Sequence, residues 1–96
     1  MTNTAETKSD KYTVKIASRR VEKELDTLPQ KEYNRISAKI KALSNDPRPQ
    51  GVKKIGDRVH RIRIGDYRVI FSVFDKEKLI LINKVALRSE KTYKNF

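Results

Sequence analysis

Arg58-Val59-His60-Arg61-Ile62-Arg63-Ile64-Gly65-Asp66-Tyr67-Arg68-Val69-Ile70-Phe71 sets β-branched, aromatic and charged residues on either side of a Gly-Asp pair. Two β-rich runs separated by two such residues read as a tight hairpin, with glycine supplying the positive φ that a type I′ or II′ turn needs. The turn fixes the register: Ile64 pairs with Tyr67, Arg63 with Arg68, Ile62 with Val69 and Arg61 with Ile70. Cross-strand partners share a face and side chains alternate with period two. Arg61, Arg63 and Arg68 therefore stand on one side of a sheet. Like charges directly opposite each other weaken a sheet, and within the hairpin the acid available to offset them is Asp66, at the turn. The cluster points to a polyanionic ligand; the bland alternative is arginines lying over a solvated face.

Outward from the hairpin the chain continues in the same register. Asp75-Lys76-Glu77-Lys78 is a charged turn, and Leu79 to Leu87 is a further strand. Its run Leu79-Ile80-Leu81-Ile82 does not alternate, which predicts a central strand covered on both faces. Upstream, Val52-Lys53-Lys54-Ile55 is a short strand or extended piece. Asn45-Asp46-Pro47-Arg48-Pro49 is a firm stop. Before it, Tyr33, Ile36, Ile40 and Leu43 form one helical stripe. Val21, Leu25 and Leu28 form another behind a candidate N-cap, Ser18, with Pro29 between the two helices. Lys11 to Ile16 alternates and predicts a first strand. The expected architecture is α+β, in the order β-α-α-β-β-β, a helical hairpin packed on one face of a mainly antiparallel sheet. Residues 1–10 read as a flexible polar arm and 11–96 as a single domain.

Composition narrows the function. The 96 residues hold 23 Lys and Arg against 12 Asp and Glu, a net charge of +11. Residues 1–47 carry ten basic and seven acidic side chains, whereas 48–96 carry thirteen and five. The excess thus sits in the sheet-forming half and reads as a nucleic-acid footprint. There is no cysteine and one histidine, His60, so neither disulfides nor a zinc site is expected, and no other cofactor. No apolar run approaches the roughly 18 residues of a membrane span, and the start is not a signal peptide. A reducing cytoplasm is the expected compartment.

The chemistry left to such a chain is electrostatic. Arginine stays charged and offers bidentate hydrogen bonds to phosphate oxygens; Lys53, Lys54, Lys84 and Arg88 would widen the field. No Ser-His-Asp set, phosphate loop or HExxH motif occurs. RNA carries its own nucleophile in the 2′-OH, so metal-independent cleavage of RNA is open to these residues in a way that cleavage of DNA is not. By parity His60 shares the side of Ile62 and Ile64 and faces the helices or the rim. Tyr67, opposite Ile64, belongs to the core. Tyr93, near a basic end segment, is placed equally well to stack on a base or to anchor the terminus.

The order of elements, Gly51-Val52-Lys53-Lys54-Ile55-Gly56, the His60–Phe71 hairpin and the ending Val85-Ala86-Leu87-Arg88-Ser89-Glu90-Lys91-Thr92-Tyr93 together resemble the RelE/ParE toxin superfamily over about residues 11–93. The resemblance implies the toxin of a type II toxin–antitoxin pair: a ribosome-dependent mRNA endonuclease cutting A-site codons, held off by a RelB-like antitoxin. It implies catalytic roles for Arg61, Arg68, Arg88 and Tyr93, with Arg63, Lys53, Lys54 and Lys84 binding RNA. Arg68 would bind the scissile phosphate or stabilise the transition state. Arg88 would contact phosphate or the leaving group, and Tyr93 would orient the 2′-OH. Arg61 and Arg63 stand where well-known members carry lysines, and Ala86-Leu87-Arg88 stands where many have Gly-His-Arg. Two alternatives remain open: the ParE branch, which keeps the fold and inhibits DNA gyrase, and a basic RNA-binding module without catalysis.

Overall fold

The structure, a computed structural model, describes residues 11–87. The polar arm expected over 1–10 and the ending with Arg88 and Tyr93 lie outside the described residues. Within them the elements are β1 (Thr13–Ile16), α1 (Arg19–Asp26), α2 (Gln30–Ala42), β2 (Lys53–Gly56), β3 (Val59–Ile64), β4 (Tyr67–Phe74) and β5 (Leu79–Leu87). The extended piece after the Pro-rich stop is thus a full strand, and the order is β-α-α-β-β-β-β.

Local chemistry accounts for the helical hairpin. Ser18 caps α1, its Oγ accepting the Val21 N–H at 3.4 Å, which satisfies one of the donors a helix start leaves open. Three residues, Thr27-Leu28-Pro29, separate the helices, and Pro29 is the N-cap of α2. Val21 and Leu25 of α1, Ile36 and Ile40 of α2 and Leu43 just beyond it are buried. Tyr33, expected in the same stripe, is 38% exposed and stands at the lip of the groove between the helices.

The five strands lie in the order β1-β5-β4-β3-β2. β1 runs parallel to β5, pairing Thr13 with Leu79 through Ile16 with Ile82, and the remaining pairs are antiparallel. β3 and β4 pair in the register expected from the turn, Ile64 with Tyr67 and Arg63 with Arg68. Ile62, Ile64, Val69, Phe71, Val73, Ile80, Ile82 and Val85 join the helical residues in one core. Burial of that many aliphatic and aromatic side chains, at about 1.5–3 kcal/mol each, dominates the favourable side of folding.

One expectation is corrected. β5 is central, flanked by β1 and β4, but it is not covered equally on both faces: Ile80 and Ile82 are buried in the core while Leu79 and Leu81 are half-buried. The helices cover one face of the sheet, so a run of four aliphatics fills two core positions and two positions on the other face.

At the β3–β4 turn Gly65 has φ +62° while Asp66 is not in the left-handed region, the signature of a type II′ turn. An alanine at Gly65 would adopt a conformation costing about 1–2 kcal/mol, and its methyl would also meet the Arg35 guanidinium from α2. At Gly56 a methyl would meet Val59 at an ordinary 3.5 Å. We expect Gly65→Ala to lose roughly 1–2 kcal/mol and Gly56→Ala to lose less, measured by urea unfolding.

Candidate nucleic-acid interface

The register that buries Ile62, Ile64 and Val69 sends their neighbours to the other side of the sheet. Arg63 and Arg68 face each other across β3 and β4, and Arg61 faces Lys53 across β3 and β2. Strands lie about 4.8 Å apart and same-face residues about 7 Å apart along a strand. Four cationic side chains therefore share a patch on the order of 10 Å across on the helix-free face. Arg63 and Lys53 are exposed, and Arg61 and Arg68 are half-buried. Two unit charges about 6 Å apart repel by roughly 1–3 kcal/mol, according to how well water screens them. Such a patch favours a ligand that brings several negative charges at once.

The patch has an apolar floor. Ile70 and Ala86 are buried yet lie outside the main core, next to Arg61 and Arg68 in the cross-strand rows. Ser72 is buried on the same face and accepts a 2.7 Å hydrogen bond from the Asn83 amide. Low-permittivity surroundings strengthen whatever the guanidiniums bind.

Of the other expected members of the field, one lies on the opposite side and one is already ion-paired. Lys54 pairs across the strands with His60, not with Arg61, so period-two alternation puts it on the opposite side from Lys53. It lines a groove of about 640 Å³ with Arg48, Arg58, His60 and Phe74. Lys84 is bound to the Glu24 carboxylate of α1, with both side chains about four-fifths buried. Its charge is already matched, so it does not extend the arginine patch as the sequence suggested. Arg88 and Tyr93, expected to complete the site, lie outside the described residues.

His60 faces the core side, as its parity required. It is buried, its ring stacked on Phe71 at 5.6 Å between centroids, with Nδ1 3.1 Å from the Arg58 carbonyl. The carbonyl can only accept, so Nδ1 carries the proton. Burial pushes the imidazole below its usual pKa, against a smaller upward pull from that carbonyl. These are the marks of a packing histidine. Tyr67 packs against the core, also as expected.

Other polar residues escaped the sequence reading. Asp75 accepts from Tyr12 Oη at 2.6 Å and from Arg48 Nη2 at 2.8 Å, tying the start of β1 and the α2–β2 loop to the β4–β5 turn. The Arg48 and Tyr12 hydrogen bonds hold its carboxyl below the usual carboxylate range. No spacing could have revealed this, because the three residues are far apart in sequence. Among the described residues no group of acids, histidines or cysteines is arranged to hold a metal ion, and no helix is long and apolar enough to cross a membrane.

A parallel edge strand, a helical hairpin on one face and an arginine-bearing β-hairpin define a class of small toxin. The chain belongs to the RelE/ParE superfamily. Residues 8–92 match the family described as ParE toxin of type II toxin-antitoxin system, parDE. The chain is 34% identical over 90 residues to the Methanocaldococcus jannaschii protein named "Putative toxin RelE1", with 88% of this chain and 98% of that protein covered. It is also 34% identical to a chain of the archaeal RelE–RelB complex from Pyrococcus horikoshii OT3, with a TM-score of 0.73 over 83% of this chain and 98% of that one. The isolated Escherichia coli RelE toxin shares the fold, with a TM-score of 0.71 at 20% identity over 86% of this chain and 92% of that one.

The two titrations separate by pH. A histidine whose folded pKa is depressed leaves the unfolded chain binding more protons between the folded value and about 6.5, so stability falls as pH drops through that window. Asp75, also depressed, loses its contribution only as pH falls below the ordinary carboxylate range. Thermal melts should therefore decline from pH 7 to 5, and His60→Phe should flatten that decline while leaving the loss below pH 4. An unchanged slope in His60→Phe would assign it to other groups.

Proposed function

We propose that this chain is the toxin of a RelBE-type pair and acts as an endoribonuclease on mRNA in the ribosomal A site. The observation that carries the reading is the opposition of Arg63 and Arg68 on the helix-free face, with Arg61 and Lys53 in the adjacent row. In this mechanism the 2′-OH of one nucleotide attacks its own 3′ phosphate. The O2′–P bond forms, the P–O5′ bond breaks, and a 2′,3′-cyclic phosphate and a 5′-hydroxyl remain. Arg68 and Arg61 stabilise the charge that gathers on the phosphorane, Arg63 and Lys53 hold flanking phosphates, and Arg88 and Tyr93 serve the leaving group and the nucleophile. No metal ion or other cofactor is required. The mechanism assigns no step to Lys54, on the side opposite Lys53, or to Lys84, paired with Glu24.

The partner follows from the same face. The Pyrococcus horikoshii relative is found with RelB, and a RelB-like antitoxin would neutralise this chain by presenting acidic residues to the arginines. The matched family is described as a ParE toxin, and the resemblance to the ParE branch carries a second reading, inhibition of DNA gyrase. That reading gives the four-cation patch no chemical task.

Arg68→Ala should lower cleavage of mRNA on programmed ribosomes by on the order of 10²–10³ with an unchanged circular dichroism spectrum. RNA binding should weaken steeply with salt, and Arg63→Ala should reduce the slope of log K against log salt by about 1. Wild-type cleavage by a folded Arg68→Ala protein would overturn the assignment. Inhibited supercoiling by gyrase with intact mRNA would favour the second reading.

A further inference from the structure

β1 ends at Ile16, opposite Ile82 of β5, whereas β5 runs on to Leu87. Beyond Ile82 no strand among the described residues lies along the outer edge of β5, and an N–H on that edge needs another acceptor. Between Ile70/Lys84 and Phe71/Ile82 the β4–β5 register also shifts, Asn83 being the extra residue. A bulge of this kind bends its strand and locally disrupts the ladder. The segment that pairs Val85 with Val69 and Ala86 with Arg68 thus follows directly on a break in the regular ladder.

Glu24 of α1 supplies what is missing there. Its Oε1 accepts the Val85 N–H at 2.9 Å and its Oε2 accepts from Lys84 Nζ. The position is conspicuous in the sequence, because Val21, Glu24, Leu25 and Leu28 fall at i, i+3, i+4 and i+7, so a carboxylate occupies one place of an otherwise apolar stripe. A carboxylate four-fifths buried is unfavourable without a charged or hydrogen-bonded partner; here it has both. α1 is thereby fastened to the strand that flanks Arg68.

We infer that Glu24 is a positioning residue, which pins the end of β5 after its bulge and so holds Arg68 in place on the arginine face. The effect of Arg68 on cleavage rests on the proposed function, whereas the pinning does not. Glu24 acts through the backbone bond, so an amide oxygen at this place should replace it and a methyl should not.

The test uses the full chain in four forms: wild type, Glu24→Ala, Glu24→Gln and, as a surface control on the same helix, Glu22→Ala. In Glu24→Ala, hydrogen exchange at the Val85 amide should accelerate at least tenfold, the Arg68 Nε–H resonance should shift, and amides of β3 should exchange as in wild type. Cleavage should fall about tenfold in kcat with KM for the programmed ribosome within twofold. Glu24→Gln should return exchange and kcat to within threefold of wild type, and Glu22→Ala should match wild type throughout. Unchanged exchange at Val85 in Glu24→Ala, or an unmoved Arg68 resonance, would overturn the inference. So would a loss of kcat that Glu24→Gln fails to rescue although it remains folded. A wild type that leaves RNA uncut would remove the cleavage reading, and the exchange and resonance results would still decide whether Glu24 pins β5.

Discussion

A turn of two residues, Gly65 and Asp66, sets Arg63 against Arg68, and it leaves no slack for any other pairing. Side chains alternate strictly along a strand, so a slip of β3 by one residue would carry Arg61 and Arg63 into the core and Ile62 and Ile64 out of it. Burying even one unmatched guanidinium costs several kcal/mol. The apolar side and the charged side therefore enforce the same register. The helices follow from this constraint: they cover the apolar side and leave the other free for a ligand.

The described acids occupy the periphery of the fold. Asp75 joins β1, the α2–β2 loop and the β4–β5 turn through Tyr12 and Arg48, and Glu24 joins α1 to β5. Each holds two or more elements together away from the hairpin. Asp75 and Glu24 thus brace the frame around a sheet face rich in arginine. Preorganised donors of this kind act on charge that develops in a transition state without having to reorganise first.

The hairpin, its register, the Ser18 cap and the Phe71 side of His60 were legible because each depends on near neighbours and on period. Less legible are the residues whose surroundings depend on distant partners. Lys54 was grouped with Lys53 although adjacent residues on a strand point to opposite faces; its cross-strand partner, His60, shows the side it takes. Lys84 is paired with a carboxylate sixty residues earlier, which leaves no local trace. Leu79 and Leu81 look like core residues because hydrophobicity alone does not say which face of a sheet the helices cover. Glu24 did leave a signal, a charge in an apolar stripe, and its meaning emerges only with the bonds to Lys84 and Val85.

The chemistry of the cut ends tests the central claim most directly. RNA recovered from programmed ribosomes incubated with the purified toxin in a metal chelator that spares ribosome integrity can be probed for its termini by kinase and ligase sensitivity. Attack by the 2′-OH predicts 5′-hydroxyl ends paired with 2′,3′-cyclic or 3′ phosphates, at sites within the A-site codon. Termini bearing 5′-phosphate and 3′-hydroxyl, or RNA left intact by folded protein, would contradict the account.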